Sequence, residues 1–372
     1  MDASYQCRWG AGASPVNPVW PLVPSLLPDE VISSWLMRCA LAQGCDATTL
    51  TGEVWPRLRF WCGDPDRELS IEQTLHLNRL SGIPAAALHA ATLQPLHQMM
   101  TGSTNFPRGI APWFLCLGCR NRRRCGGLQY CPTCFREHLP HYLIQDRLSW
   151  HSACPIHQAI LLDRCQSCQA PLCPQLLTPP VETLGRCHRC GYELCFAATV
   201  PAPDKVLRFQ HATDGLFSRP AVSYGGHHLP LAEWLALSRW MIGILRTAAR
   251  APSPCTETFF RELGVNLGEL RPPPIGLPFE YLSPLDRASL LANVWSMLEI
   301  NPERLMEVAE REQIRPSLLL PRSGKLPSSL VGLAAVLKSR RCRKNSLSPI
   351  DNPRSVKSVL MRWQRLLRKF QR

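Results

Sequence analysis

The sequence predicts a mainly α-helical chain built around two small metal-closed modules. Two observations carry that fold class. Four ligand pairs, each with two residues between its members, fall in one run: CPTC at Cys131–Cys134, CPIH at Cys154–His157, CQSC at Cys165–Cys168 and CHRC at Cys187–Cys190. On either side of them, apolar residues recur at the helical spacing over stretches of ten to twenty residues. A two-residue spacer makes a tight turn, so both donor atoms of a pair face one centre, and two turns complete a tetrahedron. In order, the pairs read C-x2-C-x19-C-x2-H and C-x2-C-x18-C-x2-C. These are spacings of structural zinc sites of the zinc-ribbon or zinc-finger kind. Two Zn2+ ions are expected.

Residues 1–27 read as an extended leader, because Pro15, Pro18, Pro21 and Pro24 recur every third residue. Trp9 and Trp20 are expected to pack it onto the body of the protein. A helical part over 28–104, like a helix-turn-helix in its short helices and tight turns, follows. Its first helix is expected over 28–44: Pro28 suits a first turn, Asp29 and Glu30 suit the positive end of the helix dipole, and Gly44 suits a stop. Val31, Ile32, Trp35, Leu36 and Cys39 share its apolar face, with Arg38 beside it. A second helix is expected from Ser70, where Ser70 and Gln73 can form a capping box, and a short third one from Pro84. The tandem zinc-binding modules are placed at 105–200. Within them the segment around Trp150 forms the body of the first module, and QAILLDR covers a metal site. Residues 201–228, with PAPDK and SRPAVSYGG, read as a linker. A C-terminal helical domain spans 229–337, with a broad apolar stripe over 231–245 and two helices divided near Asn301–Pro302. The last stretch, 338–372, is a basic helical tail.

The cysteines admit a second grouping. Cys116 and Cys119 form another CxxC, with Cys125 nearby, and could close a site with Cys131 and Cys134. Two modules of nearly equal loop length use eight donors and are the expectation, which leaves Cys116, Cys119 and Cys125 as candidates for an extra metal site. Among these three lie Arg120, Arg122, Arg123 and Arg124, whose planar forks suit phosphate oxygens. The tail adds Lys338, Arg340, Arg341, Arg343, Lys344, Arg362, Arg365, Arg368 and Lys369 among twelve cations opposed by Asp351 alone. With a formal net charge of +14, these residues point to a nucleic-acid backbone as a partner.

Catalysis finds little support. The chain has no GxxxxGK[ST] phosphate loop, no GxSxG elbow and no HExxH. Both predicted metal modules are closed by four protein ligands, whereas a catalytic zinc keeps a position open. No apolar run is long enough to span a membrane, and no secretory signal opens the sequence. A cytoplasmic protein with no membrane partner is expected, in which reduced thiols serve metal rather than disulfides.

The stretch LPDEVISSWLMRCA at 27–40, the segment DPDRELSIEQTLHLNRLSGIPAAALHAATL, and above all CPTC, Trp150, CPIH, Leu161–Leu162 and CQSC resemble the TniQ/TnsD family of transposon target-selection proteins. The resemblance covers roughly residues 25–195. It implies a non-catalytic adaptor that links a target-recognition complex, either a CRISPR effector or attachment-site DNA, to the AAA+ ATPase of the transposon and so to the transposase. It also allows a homodimer. Two helical flanks on a rigid zinc centre suit such an adaptor, and the N-terminal flank, around Trp35 and Arg38, is expected to meet the ATPase. The alternatives are a zinc-containing sequence-specific DNA-binding regulator and, last, a zinc-dependent nucleic-acid enzyme.

Overall fold

The chain was analysed as a computed structural model, which describes residues 20–117, 127–219, 221–270, 276–320, 326–330, 360 and 363. Among them are twelve α-helices and two antiparallel two-stranded ribbons, so the mainly helical expectation holds. The chain enters as an extended segment. Trp20 packs against Trp35 with ring centroids 6.3 Å apart, and its amide donates to the Leu80 carbonyl.

Helix α1 (Ile32–Ala42) starts later than Pro28 suggests. Asp29 takes a left-handed φ of 55°, and Glu30 pairs with Leu143 as an isolated bridge. Glu30 therefore does not face the helix dipole. Its carboxylate is buried and accepts from Ser34 Oγ at 2.7 Å and Arg38 Nε at 3.2 Å. Nine consecutive residues of α1, from Ile32 to Ala40, are buried, because helices and the cysteine-rich region enclose it on all sides. Gln43 closes the helix, and Gly44 then takes the left-handed φ of 73° expected of a stop.

Helix α2 (Ala47–Val54) is capped by Asp46, which accepts from the amides of Thr48 and Thr49. Helix α3 (Ile71–Ser81) carries the expected capping box of Ser70 and Gln73 and stops at Gly82. Helices α4 (Ala85–Ala90) and α5 (Gln94–Thr101) follow. In the cysteine-rich region regular structure is sparse: α6 (Pro132–Glu137), and strands β1 (Ala153–Cys154) and β2 (Ala159–Ile160) paired antiparallel.

The stretch expected as a linker is not one. Residues 201–228 hold α7 (Asp204–Gly215) and most of a hairpin, β3 (Val222–Tyr224) and β4 (His227–Leu229), turned by Gly225 and Gly226 at positive φ. A Cβ on Gly225 would come within 2.3 Å of Pro302 Cδ, so the turn accepts only glycine against that neighbour. Helix α7 buries Val206, Phe209, Gln210 and Thr213. The spacing is helical, but two of the four are polar, and an apolar-only pattern misses them. Beyond the hairpin come α8 (Leu231–Arg250), α9 (Pro254–Glu262), α10 (Pro284–Leu298), α11 (Pro302–Arg311) and α12 (Pro316–Leu319). The break before α11 falls at Asn301–Pro302, as expected.

One core runs through both halves of the chain. Phe209, Trp234, Met241, Phe259 and Leu291 pack in the same cluster as Trp113, Phe114, Leu148 and Trp150. A fully buried side chain of this kind stabilises by roughly 1.5–3 kcal/mol, so the contact is a major part of the fold. Polar bolts cross it. Gln210 accepts from the Ser152 and Ala153 amides at 3.1 and 3.0 Å and returns a bond to the Ala153 carbonyl. Asp214 accepts from Trp150 Nε1 at 2.9 Å, and its carboxylate lies 2.9 Å from His151 Nε2. Buried Arg287 on α10 donates to the Ser149 carbonyl and to Gln129 Oε1.

Candidate metal centres

The first donor set sits where three short elements meet. Cys131 caps the N-terminus of α6 and Cys134 lies within that helix, while Cys154 ends β1 and His157 lies in the turn to β2. Proline at the first helical position, Pro132, fixes the entry of α6 and costs no hydrogen bond there. The Cys134 and Cys154 sulfurs are 3.7 Å apart, and His157 Nδ1 stands 3.5, 3.3 and 3.6 Å from Cys131, Cys134 and Cys154 Sγ. A tetrahedron with bonds of roughly 2.3 Å to sulfur and 2.0–2.1 Å to nitrogen has edges of about 3.5–3.8 Å. The distances are thus edges of a coordination polyhedron rather than hydrogen bonds between thiols. The second set repeats the pattern, with Cys165–Cys190 at 3.6 Å and Cys168–Cys187 at 3.7 Å. In each set all four donor atoms lie within 4.8 Å of one another, so both are arranged to hold a metal ion.

One thiol of each set is held towards thiolate. Close approach of the Cys134 and then the Cys154 sulfur couples the three thiols, with Cys131 driven down while Cys134 and Cys154 go up. The Tyr192 amide pulls Cys190 down to about 7. Amides also point at ligand sulfurs, from His157 to Cys154 and from Arg189 to Cys187, each at 3.4 Å. Each set offers four thiolate or imidazole donors and leaves no position open, the donor chemistry of a structural site.

Sequence reasoning missed one residue of the first centre. With Nδ1 facing the sulfurs, His157 Nε2 lies 2.9 Å from Glu137 Oε2 on α6. The carboxylate fixes the tautomer and the ring orientation, as such partners do beside metal-bound histidines. The only available signal was an acid one helical turn beyond Cys134. Glu137→Gln is expected to weaken metal retention at this centre about 10–100-fold while the second centre is unaffected. Competition with a chromophoric chelator measures it, and equal retention by both proteins would remove the role.

A buried charge cluster joins Asp64, Asp66 and Arg67 to Arg147, and it too was not foreseen. Arg147 has no exposure; it pairs with Asp66 and Asp64, the latter at 2.7 Å, and donates to the Leu115 carbonyl at 2.8 Å. Asp66 also accepts from the amide and hydroxyl of Ser33 on α1 at 2.8 and 2.9 Å. Burial pushes the Asp66 carboxyl up to about 6 in spite of Arg147.

The remaining candidates divide. Cys116 is buried and its sulfur accepts from Arg67 Nη2 at 3.4 Å. Gly127 abuts the Cys116 backbone, where a Cβ would meet it at 2.6 Å, so both ends of the arginine stretch are held together. Cys119, Cys125, Arg120, Arg122, Arg123 and Arg124 lie outside the described residues, as do the basic residues of the tail from Lys338 to Lys369. Of the tail, Leu360 and Trp363 are described; both are helical and more than half exposed. Trp35 and Arg38 are not placed for the docking role expected of them. Trp35 is fully buried, with Nε1 donating to the Pro24 carbonyl, and buried Arg38 binds Glu30 and the Ser25 carbonyl. Their helix is enclosed by the cysteine-rich region, so both tie the entering segment to α1.

Comparison with known families gives one match. Residues 21–161 match the model of the TniQ family. Those residues are a TniQ domain. The TniQ domain thus runs from the entering segment through β2 and includes all four donors of the first centre. The second centre and helices α7–α12 lie beyond it. The match over these residues agrees with the resemblance drawn from the sequence. No curated protein matches the chain. Among the described residues no helix is long and apolar enough to cross a membrane.

Proposed function

We propose that the chain is a non-catalytic target-selection adaptor of a transposition system, holding two zinc ions as structural centres. The observation that carries the reading is the TniQ match with a closed Cys3His centre inside it. Zinc fits best: thiolate and imidazole are its usual protein ligands, and it imposes no geometry of its own on a tetrahedral set. Bound there, the ion supplies cross-linking rather than reactivity. The partners proposed are a CRISPR effector complex or attachment-site DNA on one side and an AAA+ ATPase on the other, with the chain acting as one copy or as a homodimer.

The test uses the full-length chain, because its two halves share a core. Immobilised protein is offered the transposon ATPase with ATP, the target complex or attachment-site DNA, and both together. Retention of the ATPase that increases with the target complex is expected. Failure to retain either would overturn the adaptor reading, and DNA cleavage by the purified chain would replace it with an enzyme.

The basic residues then supply sequence-independent affinity for nucleic acid. Each phosphate contact releases counterions, so binding falls steeply with salt. Removal of residues 338–372 is expected to flatten the slope of log affinity against log salt. An unchanged slope would assign the nucleic-acid contact elsewhere.

A further inference from the structure

Against the first metal centre lies a largely apolar cavity of about 200 Å³ that reaches beyond the donor set to Leu139, Asp146 and Ile156. Tyr130, Phe135, Leu143 and Leu161 wall it together with the ligand residues Cys131, Cys134 and Cys154. At its border stand Leu139 and Ile156, which are 56% and 72% exposed, unusual for large apolar side chains. Asp146 lines the same space and is 7% exposed. No donor among the described residues lies within hydrogen-bond distance of its carboxyl oxygens. Arg287 and His151 act on it through space, but the Arg287 guanidinium donates to Ser149 and Gln129 and the His151 ring faces Asp214. The other polar side chains bordering the cavity outside the donor set are His138, His141 and Gln145, so Asp146 is its sole carboxyl. A buried carboxyl without a donor is costly, and a structure that keeps one in an open apolar cavity leaves it for a ligand.

We propose that this cavity receives a guanidinium or ammonium side chain presented by an apolar segment of a partner protein. The stem of an arginine or lysine would lie along Tyr130, Phe135 and Leu161, its cation against Asp146, and flanking apolar residues on Leu139 and Ile156. Each part of the cavity then has a partner of matching chemistry: apolar wall to methylene stem, acid to cation, exposed apolar border to apolar neighbours. The inference stands apart from the adaptor reading, since the occupant is defined by the cavity and a chain that failed to join ATPase and target could still bind it.

The probes are n-butylguanidinium, its neutral isostere n-butylurea, and the blocked peptide acetyl-Leu-Arg-Leu-amide, each titrated against the full-length, metal-loaded protein by ligand-observed NMR. Binding of the cation but not of the urea is expected, with tighter binding of the peptide. Asp146→Asn should weaken the peptide about thirtyfold or more, the scale for truncating a buried charge pair. Equal binding of urea and guanidinium, or an Asp146→Asn protein that binds the peptide unchanged, would overturn the proposal. Leucines that add nothing would replace the partner segment with a free small cation, and so overturn it too. If Asp146→Asn fails to fold, Ile156→Lys decides: it changes an exposed side chain, sets a cation at the border, and should abolish peptide binding while leaving metal content and melting temperature unchanged.

Discussion

Cys154→Ser is expected to lose the metal of the first centre and to melt far below the parent protein. Structural metal sites couple their binding energy to folding, on the order of 10–16 kcal/mol for zinc in isolated finger peptides, so one lost donor removes a large part of the stability of the region. The loss should spread, because Cys154 ends β1, and Gln210 of α7 bonds to the neighbouring Ala153 backbone. Elemental analysis should give one equivalent of metal for Cys154→Ser and one for Cys187→Ser, against two for the parent. Two equivalents in either variant would show that the four donors do not act as one set. A third equivalent in the parent would bring Cys116, Cys119 and Cys125 back as a metal site.

Arg147→Met should cost about 3–5 kcal/mol, the scale for stranding buried charge by removing one partner. The substitution keeps the apolar stem and strips the guanidinium from between Asp64 and Asp66, neither of which has solvent to turn to: the two side chains are 4% and 0% exposed. The deficit should depend on pH. The folded-state pKa of Asp66 is already raised to about 6 by burial, so the folded state holds a proton that the unfolded chain releases near its ordinary 3.8. A raised carboxyl makes stability fall as pH rises between those values. Without Arg147 the upward shift grows, so the variant should recover part of its loss on going from neutral pH to pH 5. Denaturant melts at the two pH values measure this, and a deficit equal at both would locate the loss in packing rather than charge.

What the sequence made legible follows from how local each signal is. The donor pairs were readable because a two-residue turn determines its own geometry, and the Ser70–Gln73 capping box because it spans three residues. The start of α1 was misplaced because Glu30 looks like a first-turn acid, while its actual partner, Arg38, is eight residues away on the same inward face. Buried charge is the general blind spot. Asp66, Arg147 and Arg287 read as surface residues by type, yet their partners lie dozens of residues away and only the fold brings them together. Helix α7 was hidden for a related reason: Gln210 and Thr213 are buried through polar contacts, so its face lacks the apolar spacing that marked α8. Trp35 was legible on the apolar face of α1, where it is buried, but the docking expected around it and Arg38 was not excluded by anything local, since nothing in the sequence says that α1 is enclosed on every side.

The core shared by both halves also orders events in time. Each metal set closes within about thirty residues of chain, and contacts this near in sequence form early. The bolts from Arg287 to Gln129 and from Glu280 to the Trp113 amide span 158 and 167 residues. On the ribosome, both metal sets would be available to close while α10 is still unsynthesised, leaving the faces of Trp113, Phe114 and Trp150 bare until the later helices arrive to cover them. A nascent chain stalled near residue 200 would be metal-loaded and still present those aromatic faces, the state in which this protein is most exposed to chaperones and to aggregation.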